Sequence, residues 1–455
     1  MTPPEIPGEP APHDAPLVRP FAVTHASVLA IAAPMTLAYL TTPLVGVVNL
    51  GVVGQLGDPA LVGGVSIGAL VFDFVFVTFN FLRSGTTGLV AQAFGADDRH
   101  EIAATFFRAL IVAIVVGIAV VLLREPFLLG ALGAIGGSDA VKAATGDYWH
   151  IRVLATPFAL ANYVVLGWLI GLGRAGYGLF LQIILNGLNI VLSIVLVHNF
   201  GLGVPGVGWA SFAAETATAF LGVGLVLVLM DRSAWPSRAQ LLARIAFARM
   251  IAVNRDIMIR SFTLLFAFAF FTARSAAAGD VVLAANEILL NLTIVAAFFL
   301  DGLAAAAEQL SGRAVGARYR PAFERSFRLV VVWGLGVALA VSLILWFVGP
   351  AIVDTMTTSE SVRQTARTYL LWAALFPIVG TLAYQFDGIF IGATWSGDMR
   401  NMMLLSVALY LVAWLALAPL YGNHGLWIAL LVFLGARSVT LYWRMRRLVP
   451  RTFPA

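Results

Sequence analysis

The feature that most constrains this chain is its succession of long apolar runs. They fall near 27–50, 60–82, 102–123, 150–172, 179–199, 206–230, 251–273, 281–307, 329–353, 368–393, 402–420 and 424–443. About 20 apolar residues in a helix cross the hydrocarbon core of a bilayer. A backbone in lipid must satisfy its own hydrogen bonds, so each run is expected to be a helix. Twelve such runs in 455 residues leave only short connections. With 60% hydrophobic and 11% charged residues, against roughly 45–50% and about 25% in soluble proteins, the chain lacks the polar cover of a globule in water. It reads as an all-α integral membrane protein with about twelve transmembrane helices. Pro34, Pro43, Pro157 and Pro377 fall inside runs and predict kinks.

The net charge of +5 does not point to nucleic acid. The basic residues are scattered arginines between apolar runs, and Lys142 is the only lysine. Their distribution orients the chain. The connection 231–260 carries Arg232, Arg238, Arg244, Arg249, Arg255 and Arg260, and 313–328 carries Arg313, Arg318, Arg320, Arg325 and Arg328. The C-terminal end adds Arg444, Arg446, Arg447 and Arg451, whereas 50–59, 198–205 and 419–424 have no Lys or Arg. With twelve spans the basic segments share one face, and the positive-inside rule puts both termini in the cytoplasm of a cell (inner) membrane protein. The first twenty residues are proline-rich, with no basic start before an apolar stretch, so they read as a cytoplasmic disordered tail and not a signal peptide.

Several chemistries are disfavoured. No cysteine occurs, and the six histidines show no HxxxH or HExxH spacing, so no metal site or thiolate chemistry is expected. No nucleophile–base pattern suggests an enzyme, and no GxxxxGK[ST] loop suggests ATP as the energy source.

The two halves resemble one another. "LGDPALVGG" at 56–64 answers "AGDVVLAAN" at 278–286, and "AQAFGADDR" at 91–99 answers "GRAVGARYR" at 312–320. Tyr148, Gly167 and Gly171 are matched by Tyr369, Gly388 and Gly392, each 221 residues later. The expected organisation is a tail 1–24, an N-lobe 25–231, a basic linker 232–250, a C-lobe 251–445 and a tail 446–455. Two pseudo-symmetric six-helix bundles place a site between lobes that rock to open alternately, the logic of a transporter.

With the repeat in view, "APMTLAYLTTPLVGVVNLGVVGQLGD" at 33–58, "FNFLRSGTTGLVAQAFG" at 79–95, "FFLDGLAAAAEQLSGRAVGA" at 298–317 and "FDGIFIGATWSGDMRN" at 386–401 resemble the multidrug and toxic compound extrusion (MATE) family, in its DinF-like branch. The resemblance covers about 25–445. It implies an exporter of organic cations and other amphipathic small molecules, driven by an inward proton or sodium gradient. It implies no cofactor, and the lipid bilayer is the surrounding partner of a chain expected to be monomeric.

Acids inside spans are costly and are functional candidates by default. Asp73 lies about thirteen residues into the second run, roughly 20 Å deep at 1.5 Å per residue, and reads as the only deep carboxylate of the N-lobe. Glu287, Asp301 and Glu308 share one stripe of the eighth span. Glu287 falls in its outer third, where the cavity reaches it; Glu308, close to Arg313, reads as a rim ion pair. Asp301 in "LDG" and Asp387 in "FDG" match patterns of the family and serve either lobe structure or coupling, with an Arg pair the simpler role for Asp387.

In the family, an acid fifteen residues after a helix-1 proline couples to export; here Pro34 leads to Asn49. The Asn-xxx-Asp pair of helix 5 is Asn189 and Ser193. Neither replacement titrates near neutral pH. An engineered change at 49, a natural variant with a relocated acid and a weakly coupled protein are all open, with Asp73 or Glu287 as the replacement. Further cavity candidates are Tyr39, Thr42, Asn162, Asn186, Asn291 and Tyr384. A lipid-linked oligosaccharide flippase of the same superfamily is the alternative, and the scarcity of mid-span arginines counts against it.

Overall fold

The computed structural model describes residues 18–135 and 138–454. The expected tail 1–24 lies outside the described residues up to residue 17. The helices are α1 (His25–Gly54), α2 (Pro59–Phe79), α3 (Phe81–Gly95), α4 (Arg99–Leu122), α5 (Arg124–Ile135), α6 (Asp139–Arg152), α7 (Thr156–Gly171), α8 (Ala175–Ile194) and α9 (Gly203–Leu229). After a short helix α10 (Arg238–Leu241) come α11 (Arg244–Ala277), α12 (Asp280–Gly316), α13 (Arg320–Met356), α14 (Glu360–Gly392), α15 (Ser396–Tyr421) and α16 (Asn423–Thr452). Among the described residues there is no strand.

Among the described residues, eleven passes are long and apolar enough to cross a membrane, counting α6 and α7 as one. The remaining pass is α2 and α3 in tandem, meeting at Asn80. Helices start where the sequence supplies caps: Thr24, Asp98 and Ser138 each accept a bond from the backbone N–H three residues on. Pro34 and Pro43 are carried inside α1, and Pro377 inside α14. Pro157 has a larger effect. It stands in the first turn of α7, after a 3₁₀ turn Val153–Ala155 that ends α6 at Arg152.

The 221-residue repeat recurs in the packing. A Cβ added to Gly167 would overlap the Arg83 carbonyl oxygen, and one added to Gly388 would overlap that of Ala304, the residue 221 positions after Arg83. Gly171 likewise abuts the Thr87 oxygen and Gly392 the Glu308 oxygen, again with the same offset. On the pseudo-two-fold itself α3 crosses α12. There Gly95 faces the Arg313 carbonyl oxygen and Gly316 faces that of Gln92. The turns after these helices repeat as well, with Asp97 at φ 55° and Arg318 at φ 52°.

Among the described residues, the buried apolar cluster that the lobes share lies towards one end, with Phe74 on Phe262 a further contact nearer the middle. The largest buried cluster mixes residues of both, among them Leu82, Val90, Leu303, Leu310 and Phe390. Away from that end each lobe has its own cluster, around Val53, Tyr148 and Val207 in one and around Leu289, Tyr410 and Trp427 in the other. The shared end carries both described chain ends: Phe21 packs on Tyr319 and Phe453 on Phe323. The segment before α1 straps the two lobes together. The Arg19 backbone N–H donates to the Ala317 oxygen at 3.0 Å, and its guanidinium pairs with Asp97 at 2.8 Å. In the connection between lobes, Asp231 accepts from Ser233 and Arg99, which hold its carboxyl down at about 2.

Candidate functional site

Among the described residues, every side-chain hydrogen bond and ion pair between the lobes lies in the half where the core is shared. Arg83, in the first turn of α3, spans to Glu308 of α12 with its two terminal nitrogens, at 3.3 and 3.4 Å. Asn80, where α2 ends, orients that guanidinium by accepting from Nε at 3.2 Å. Glu308 is therefore no rim partner of Arg313. Five residues apart on one helix, the two point roughly 140° away from each other. Arg313 instead lies over the rings of Phe21 and Phe94. A second seam joins Gln92 of α3 to the Gly392 oxygen at 2.9 Å and to Thr394 at 3.1 Å, with Arg249 donating to Gln92 at 2.7 Å. Thr394 sits at φ 54°, a conformation costly for a β-branched residue, whereas its symmetry mate in the N-lobe is Gly173.

The C-lobe holds its acids among arginines. Asp387 of α14 is buried and accepts from Arg260 of α11 at 2.6 Å and from Arg437 of α16. Asp301 is half-buried on α12, in the field of Arg83, Arg260, Glu308 and Asp387. Three carboxylates, Asp301, Glu308 and Asp387, thus face three guanidinium groups, Arg83, Arg260 and Arg437. Glu287 stands apart, towards the other end of α12. It is half-buried and accepts from Thr272 at 2.8 Å, while Asn291 donates to its backbone oxygen at 2.9 Å. Tyr384 lies beneath the Arg437 guanidinium.

In the N-lobe the helix-1 and helix-5 positions form a neutral ladder. Asn49 is buried and its Oδ1 has no hydrogen-bond partner. Asn189 donates to Ser211 at 2.8 Å, and Ser193 donates to Asn189 at 3.4 Å. Asn186 donates to Thr41 at 2.7 Å, joining α8 to α1. Pro34 and Tyr39 are half-buried on α1 and Thr42 is exposed, with Tyr39 beside Arg83 and Glu308.

The expectation that Asp73 is the only deep N-lobe carboxylate is wrong. Glu215 lies halfway along α9, and its side chain is 12% exposed. Asn162, expected in the substrate cavity, donates to its Oε2 at 2.7 Å, and Arg152 approaches its Oε1 at 3.5 Å. Asp73 is exposed on α2, with Arg152 the cation that acts on it. A scan of each run for single acids would have found Glu215 in "AAETATAF". The same scan, run for bases, would have found Arg437 inside α16 and Arg152 at the end of α6; Arg260, assigned to the basic connection, lies midway along α11. The scarcity of mid-span arginines therefore no longer counts against a flippase. The pairing of Arg83, Arg152, Arg260 and Arg437 with carboxylates does, because it leaves the interior without the cationic surface a pyrophosphate needs.

The MatE family profile matches residues 34–195 and again 257–420, once in each lobe. DNA damage-inducible protein F of Escherichia coli K12 is 38% identical over 91% of this chain and 91% of its own length. A probable multidrug resistance protein NorM of Rhizobium meliloti is 26% identical over 94% of each chain. A solved structure described as the outward-facing conformation of a multidrug resistance MATE family transporter superposes with a TM-score of 0.86. It covers 95% of this chain and 97% of its own at 17% identity.

Proposed function

This chain belongs to the MatE family, and from that premise we propose that it is a secondary active exporter of amphipathic or cationic organic compounds, driven by an inward proton or sodium gradient. It works as a single chain in the inner membrane, with both termini and the 231–243 connection in the cytoplasm. The observation that carries the reading is the one-sided closure: among the described residues, a shared core, facing glycines and the Arg83–Glu308 bridge join the lobes towards the terminus-bearing end. A compound between the lobes then has access from the opposite side. Parting of α3 from α12 gives access from the cytoplasm.

The closure is made of contacts suited to breaking. The glycine crossings are van der Waals contacts whose loss leaves few polar groups unpaired, and Arg83 keeps Asn80 and Ser84 as partners when Glu308 departs. The test is flux in proteoliposomes loaded with a fluorescent cationic dye, under an imposed proton or sodium gradient. Gradient-dependent dye movement against its own concentration supports the reading. Movement that ignores both gradients overturns it. Reporter fusions at 240 and 450 test the orientation, and either one reading outside rejects it.

A further inference from the structure

Midway through the N-lobe, Arg152 contacts Glu215 and stacks on Phe72, with Asp73 within its field, so one base stands near two acids from two other helices. Arg152 ends α6 at the 3₁₀ break, Glu215 lies on α9, and Asp73 lies on α2. The guanidinium rests on the Phe72 ring and beside the Tyr148 hydroxyl, but its link to the acids is weak. Its single contact to Glu215 is 3.5 Å, where a well-made charge-assisted bond is about 2.7–2.9 Å. Its Nη1 is buried with no hydrogen-bond partner. Its centre lies 3.8 Å from the centroid of the Phe72 ring, next in sequence to Asp73. Glu215, by contrast, is fixed from the other side by Asn162, which donates to both its carboxylate and its backbone oxygen. The remaining titratable groups facing the cluster are Tyr148 on α6, Tyr163 on α7 and, farther off, Arg83 on α3. From α8 come only the neutral Asn189 and Ser193.

With both acids ionised the cluster carries one surplus negative charge. We infer that Asp73, Arg152 and Glu215 form a one-proton site in which Arg152 passes between the two carboxylates, and that this exchange couples the N-lobe to the gradient. The inference rests on the exporter reading above and supplies the titrating groups that Asn49 and Ser193 cannot. The step is balanced. A proton from the open side adds to a Glu215 carboxylate oxygen, and the weak contact to Arg152 is lost. Arg152 moves across the face of Phe72 to Asp73, where Nη1 gains an acceptor. The cluster is then neutral, one acid protonated and one ion pair made, the form least costly to hold away from water. After the lobes rock, the O–H bond breaks, the proton leaves towards the cytoplasm and Arg152 returns to Glu215. Arg152 is a positioning residue; Glu215 holds the proton.

The test uses the purified full-length chain and needs no knowledge of the natural substrate. Infrared difference spectra between high and low pH are recorded for the parent, Glu215→Gln and Asp73→Asn, with thermal unfolding as the check on folding. The expected result is a protonated-carboxyl band in the parent that falls at least severalfold in each variant. Each substitution removes the surplus charge and leaves Arg152 with one acid. Proton-driven dye flux falls with the band. Should Glu215→Gln fail to fold, the exposed Asp73→Asn decides alone. A band equal to the parent's in the folded variants overturns the exchange. Proton-driven flux in the parent that persists in both variants also sinks it, while leaving the exporter reading intact. A parent that moves dye under neither gradient overturns that reading and this inference together.

Discussion

The C-lobe closes two arginines on one carboxylate, Asp387, whereas the N-lobe sets one arginine beside two carboxylates, Asp73 and Glu215. The glycine–carbonyl contacts repeat in both lobes, yet α2–α3 and α6–α7 are interrupted where α12 and α14 run through, and the break after α6 sets Arg152 at a helix end. The side chains differ as well. Around the closed end the three C-lobe acids are balanced by Arg260, Arg437 and, reaching from the N-lobe, Arg83, and Asp387 is held by short bonds. Such a set is expensive to disturb and suited to holding helices together. The N-lobe trio is unbalanced and its one ion pair is long, an arrangement that a single proton can reorganise. One frame thus carries a fixed half and a titrating half.

The largest effect expected from breaking this contrast is Asp387→Asn. It strands Arg260 and Arg437 in a buried site, and removing one partner of a buried pair costs about 3–5 kcal/mol. Thermal unfolding in detergent should show a severe loss, against little change for Asp73→Asn; equal effects would erase the distinction. Next is Gly316→Val, whose Cβ would overlap the Gln92 oxygen. Overpacking costs about 1–3 kcal/mol, here felt by the closed state alone. Because the chain has no cysteine, spin labels on cysteines introduced at the exposed Ala96 and Arg318 can report the gap, which should widen.

Glu308→Gln keeps a hydrogen-bond acceptor for Arg83 but removes the charge. A shift of about 1–2 kcal/mol, from a charge-assisted to a neutral bond, should widen the same distance less than Gly316→Val does. Asn49→Asp sharpens the comparison from the N-lobe side. It puts an acid at a buried position whose Oδ1 has no partner and should add a second pH-dependent component to flux, with no effect on C-lobe stability. The smallest effect is Arg19→Ala. Exposed ion pairs are worth about 0.2–1 kcal/mol, so the label distance should broaden without shifting its mean.

Much of the frame is legible in the sequence because bilayer thickness and the 221-residue repeat act on residues in order along the chain. The apolar runs give the passes, and the paired glycines give the symmetry. Pro157 announces a kink, but the full break that leaves Arg152 at a helix end is visible only in the fold. Partners are harder to read. Glu308 invites pairing with Arg313 because they are neighbours in sequence, yet helix rotation parts them and packing brings Arg83 from 225 positions away. The same holds for Asp387 with Arg260 and Arg437. Glu215 was legible as an acid inside an apolar run, but its meaning depends on Arg152, 63 positions earlier.

The strap at Arg19 has a practical side. A single residue just ahead of α1 is tied to the turn of each lobe, through Asp97 on one side and the Ala317 oxygen on the other. A load placed on this residue, for instance by a surface anchor, acts on both sides of the gate at once. At the other described end Phe453 rests on Phe323 of the C-lobe. A handle there pulls on one lobe instead of on the joint between the two.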